Sequence, residues 1–129
     1  MKNLNQDNII GVTALLVHAA KIDEEYSEHE KKLIKEFIKS YLKNINDDEI
    51  LKKAEEIEKN SNQLLNFTNI IKRNSIDIKK DIIKHLWKVI ISDNSIDQYE
   101  SNLMRRICGL IYFPDKMSAE IKLKIMNDK

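Results

Sequence analysis

Apolar residues recur along the chain at spacings of three and four, the period of a helix with one buried face. Ile9, Ile10, Val12, Leu15, Leu16 and Ala19 form the first such face, on a helix that runs towards Lys21. A second helix is predicted from Ser27, with Leu33, Ile34, Phe37, Ile38, Tyr41 and Leu42 inward and Lys31, Lys35 and Lys39 on a solvated face. Asn46 or Asp47 starts a third, thinly apolar and peripheral, with Glu49/Lys53 and Glu55/Lys59 pairs at i,i+4. A short fourth spans 64–73 and a fifth 76–92, the latter turning Ile78, Ile82, Leu86, Trp87 and Ile90 inward. The sixth covers 97–112 and is stopped by Pro114, and Ser118 caps a seventh that ends near Met126.

Composition narrows the class. With 129 residues, 42% hydrophobic and 33% charged, the chain can bury one core and stay in solution, so a single domain over 1–129 is expected. Gly11, Gly109 and Pro114 are its only backbone punctuators, which favours an all-α bundle of about seven helices. The stretch IIGVTALLVHAA has the outline of a secretory leader, but Asp7 interrupts its basic flank and its apolar positions suit a core helix. A net charge of +1 with only Arg73, Arg105 and Arg106 among 22 basic residues argues against a nucleic-acid partner. A lone Cys108 on an apolar face fits a buried thiol in a reducing compartment, hence a cytoplasmic protein.

The chain repeats itself. An offset of 70 residues carries Asp23 onto Asp93 and aligns Leu16 with Leu86, Val17 with Trp87, Ala19 with Val89 and Ala20 with Ile90. Beyond the turn it aligns Leu33 with Leu103, Ile34 with Met104, Phe37 with Ile107 and Ile38 with Cys108. Two helical repeats, approximately 5–45 and 75–115, are therefore expected to pack about a pseudo-two-fold axis. The repeat also removes the leader reading, because its counterpart is internal.

Each repeat carries an acidic turn, DEEYSEHE from Asp23 and DNSIDQYE from Asp93. Ser27 with Glu30, and Asp97 with Glu100, have capping-box spacing, and such a cap contributes about 1 kcal/mol without any ligand. Capping leaves Asp23 and Asp93 unexplained, along with the oxygen-bearing side chains at the first, third and fifth places: Asp23, Glu25, Ser27 and Asp93, Ser95, Asp97. Clustered oxygens suit Ca²⁺ or Mg²⁺. The spacing is not that of an EF-hand, since glutamate comes at the eighth place and the turn glycine is missing. A site with so few protein ligands would hold Ca²⁺ with a dissociation constant of about 10⁻⁴ M or weaker.

The runs AAKIDEEYSEHEKKLI and LWKVIISDNSIDQYESNLMRRICGLI resemble the two motifs of the TerB-like superfamily, named after tellurite-resistance protein B. That superfamily includes the amino-terminal domain of the membrane-anchored DnaJ-like co-chaperone DjlA. The second run carries Trp87, Asp93, Ile96, Tyr99, Glu100, Arg105 and Arg106 in the family's order, and the resemblance covers nearly the whole chain. It implies two related three-helix repeats and divalent-metal binding, Ca²⁺ most often, by Asp23 and Glu30 in the first turn and Asp93 and Glu100 in the second. Glu24 and Asn94 replace the family's turn glycines, and of these only asparagine readily adopts a left-handed backbone.

Other chemistry finds no support in the residues. His18, His29 and His85 lack zinc-ligand spacing, no Ser/His/Asp order or phosphate loop occurs, and the chain is read as non-enzymatic. The co-chaperone relatives' J-domain activity needs a His-Pro-Asp turn, whereas the sole proline follows Phe113. The expected role is a divalent-cation-binding, protein-interacting module in a stress response such as tellurite resistance, with proteins at a membrane included among its partners. The alternative is a metal-free interaction or scaffold domain whose acidic turns are caps alone.

Overall fold

The computed structural model describes residues 5–22, 26–61, 63–91 and 98–127, with the side chains of residues 98 and 99 outside that set. Among the described residues there are seven helices and no strand: α1 Gln6–Lys21, α2 Glu28–Tyr41, α3 Asp47–Lys59, α4 Leu65–Lys72, α5 Ile76–Ile91, α6 Gln98–Leu110 and α7 Asp115–Asn127. The 70-residue offset carries the bounds of α1 onto those of α5, and the start of α2 onto that of α6.

Local chemistry sets most helix starts. The Asn5 side chain accepts from the Asn8 N–H at 2.8 Å at the head of α1, and Asn46 does the same for α3, accepting from Asp48 at 3.0 Å. Between α2 and α3 the chain reverses through Asn44, whose φ of 63° is a left-handed conformation that asparagine tolerates. The helix α6 ends at Leu110, four residues before Pro114. Tyr112 adopts φ 59°, Phe113 N–H bonds the Cys108 carbonyl at 2.8 Å, and Tyr112 N–H bonds that of Gly109 at 3.4 Å. This is a Schellman cap with a tyrosine in the place glycine usually takes, and the buried Phe113 supplies its apolar contact. Pro114 instead precedes α7, so the last helix begins before Ser118.

α1 is the hub. Every residue from Ile9 to Val17 is buried, and the helix packs against α2, α3, α4 and α5. Spacing predicts one buried face; the structure encloses the whole circumference. The buried Thr13 hydroxyl is satisfied inside the helix, donating to the Ile9 carbonyl at 2.6 Å. At Gly11 an added Cβ would stand 2.3 Å from Ile70 Cδ1, so glycine permits α4 to lie this close.

α3 is not peripheral. Ile50, Leu51 and Ala54 are buried, and the helix packs against α1; its charged residues reach α2 and the turn before it: Lys35 and Lys39 of α2 pair with Asp48 and Asp47, and Glu55 accepts from Tyr26. The expected lysine row is therefore partly a bridge to the acidic first turn of α3. The α2–α5 seam stacks Phe37 edge-on to His85, with ring centroids 5.1 Å apart, while the Tyr41 hydroxyl donates to Asp81 at 2.8 Å. α7 closes over α5, where Trp87 Nε1–H donates to the buried Ser118 hydroxyl at 3.0 Å. One apolar cluster joins residues of all seven helices or their ends.

Candidate functional site

The first acidic turn follows α1, whose end is marked by the Ile22 N–H bonding the Ala19 carbonyl at 3.5 Å. Asp23, Glu24 and Glu25 lie outside the described residues. The head of α2 is firmly built. Ser27 Oγ accepts from the Glu30 N–H at 3.1 Å, and Glu30 Oε1 accepts from the Ser27 N–H at 2.8 Å, a complete capping box. Glu30 is 5% exposed, so its carboxylate is committed to the backbone in a sheltered place.

Tyr26 ties the same turn to α3. Its hydroxyl donates to Glu55 Oε2 at 2.6 Å; burial, then this bond, then the nearby carboxylates push the phenol well above its ordinary value. The Lys31 ammonium lies 4.9 Å from the centre of the Tyr26 ring. One turn along α3, Glu58 receives the Lys21 ammonium at 2.9 Å and His18 Nδ1 at 3.2 Å, both from the last turn of α1. Burial raises the Glu58 carboxyl, but the hydrogen bonds and charges of Lys21 and His18 outweigh it and leave the group below the usual range. Sequence spacing gives no sign of Glu55 or Glu58 here, because their partners lie far away in the chain and each reads as helix surface.

In the second turn, residues 92–97 lie outside the described set, including Asp93, Ser95 and the cap position Asp97. Glu100, in the first turn of α6, is 3% exposed. The two glutamates implied as ligands thus share a position and a degree of burial, 70 residues apart. Among the described residues, which include neither aspartate, no group of three His, Cys, Asp or Glu side chains is arranged to hold a metal ion. The donor chemistry, hard carboxylate oxygens, fits Ca²⁺ or Mg²⁺. One Glu30 oxygen accepts the cap bond, and a carboxylate has further lone pairs that could serve a metal.

The remaining candidates settle into structural places. His18 pairs with Glu58, His85 packs in the α2–α5 seam, and His29, Arg105 and Arg106 are exposed. Cys108 is buried, and burial, more than any other influence, pushes its thiol up. No described helix is long and apolar enough to cross a membrane.

No curated protein and no solved structure matches the chain. A family model described as tellurite resistance protein TerB matches residues 10–123, from the buried stretch of α1 into α7 and across both acidic turns. On that match, and with an all-helical fold of seven helices, the chain belongs to the tellurite resistance protein TerB family.

Proposed function

We propose that the chain is a non-catalytic TerB module of a tellurite-resistance-type stress response, which takes a divalent cation at its acidic turns and offers its surface to partner proteins. Asp23 with Glu30 and Asp93 with Glu100 are the proposed ligands, and Ca²⁺ the proposed ion. The supporting observation is the recurrence of a nearly inaccessible glutamate at the same place in α2 and α6, each eight positions into an aspartate-led turn. Burying a carboxylate is costly, and finding one buried at the same place in both repeats supports a shared use. Duplication of an ancestral helix pair, with repeats near 5–45 and 75–115, belongs to the same proposal, as does a cytoplasmic setting.

The capping box favours a second reading, in which both turns are structural and the module is metal-free. Calcium titration of the full chain followed by NMR separates the two. Cation binding predicts saturable shifts around residues 93–100 at about 10⁻⁴ M Ca²⁺ or above, abolished in Asp93→Ala with Glu100→Ala. Absence of saturation up to millimolar Ca²⁺, with the double variant melting at the same lowered temperature in calcium and in chelator, selects the cap-only reading.

A further inference from the structure

Between α5 and α7 runs an open groove of about 690 Å³. It is lined by Ile121 and Ile125, both only partly buried, and by Lys80, Lys84, Lys88 and Lys124. Among the described residues the ion pairs involve His18, Lys21, Lys31, Lys35, Lys39 and His85, and none of these four lysines. The protein's nearly balanced charge is locally unbalanced here, four cations facing two carboxylates, Asp77 and Asp81. Asp81 is already engaged by the Tyr41 hydroxyl at 2.8 Å and faces His85 at 3.6 Å.

We propose that this groove is a docking site for an acidic amphipathic helix of a partner protein. This names a partner class for the interaction role proposed above and rests on that role, but not on the cation. Three features select the occupant. Lys80, Lys84 and Lys88 stand one helical turn apart, a row about 12 Å long that matches carboxylates repeated along a helix and exceeds the reach of a single anionic head group. The aliphatic side chains of Ile121 and Ile125 offer apolar partners to side chains at i and i+4 of a helix, and the groove's volume lies in the usual range for binding clefts, about 300–1,000 Å³, whereas a flat bilayer surface does not fill a groove. Single-stranded nucleic acid, whose charges are also regularly spaced, needs aromatic platforms for its bases, and the lining offers none.

The test uses the full ¹⁵N-labelled chain in chelator, so that its outcome is independent of calcium. The probes are an 18-residue capped helical peptide with leucines at i, i+4 and i+7 flanked by glutamates, and the same peptide with every glutamate replaced by lysine. Saturable shifts confined to α5 and α7 are expected with the glutamate peptide alone, weakening as salt is raised. Lys84→Gln with Lys88→Gln, exposed or half-exposed helix positions where glutamine keeps the fold, should weaken binding about three- to thirty-fold without changing the melting temperature. No saturation below millimolar peptide, shifts centred on another face, equal affinity of the double variant, or tighter binding of an oligothymidylate at the same amides would each overturn the proposal. Shifts on another face would overturn the groove while leaving an interaction role intact.

Discussion

Ser118 illustrates how one small side chain can fix a helix. Its hydroxyl accepts from the Trp87 indole, joining α5 and α7 at a point 5% exposed. Replacing it with alanine leaves a buried indole N–H without its acceptor, which costs about 1–3 kcal/mol. Denaturation of Ser118→Ala followed by the emission of Trp87, the sole tryptophan, should show that loss together with an altered native spectrum. Tyr112 shows the opposite case. Its left-handed backbone strains a residue that is 70% exposed and meets the Lys72 ammonium at 4.9 Å from its ring. Tyr112→Gly is therefore expected to gain up to about 1 kcal/mol, read as a higher denaturation midpoint, because relief of strain exceeds one exposed cation–π contact.

At the scale of elements, the joint between α1 and α3 responds to pH. Glu58 is held below its ordinary pKa by Lys21 and His18 against the opposing effect of burial, so its contribution is present above the unfolded carboxylate value and is lost as pH falls through the lowered one. Thermal melts between about pH 5 and pH 3 should show the wild type losing more stability than Glu58→Gln, with the variant the less stable near neutrality. The periodicity of apolar residues makes the seven helices and their inward faces legible, since burial follows spacing within one helix. Leu16, Ile34, Phe37, Leu86, Ile107 and Cys108 are buried as that spacing requires. It does not disclose α3's place beside α1, or the Tyr26–Glu55 and Lys21–Glu58 contacts, because a charged residue on an amphipathic helix reads as solvated whichever neighbour it meets. Ser118 reads as a cap for a related reason: serine suits a helix start, and its actual partner lies 31 residues away in sequence. The Ser27–Glu30 box is legible because its chemistry is local.

For the whole molecule, the single apolar cluster means that damage at any one helix is felt by all. Leu16→Ala in α1 and Leu86→Ala in α5, both fully buried, should each cost about 2–5 kcal/mol. Calorimetry and far-ultraviolet circular dichroism should still report one coincident transition, as expected of one cooperative unit of this size. Two separable transitions would show that the early and late helices melt as independent bodies.

The complete enclosure of Ile9 to Val17 also governs how the protein is born. A chain that has left the ribosome only as far as Lys59 can cover the sides of α1 that meet α2 and α3, while the sides destined for α4 and α5 stay wet. Its most apolar helix is thus synthesised ahead of two of its covers and sealed only when α4 and α5 have followed.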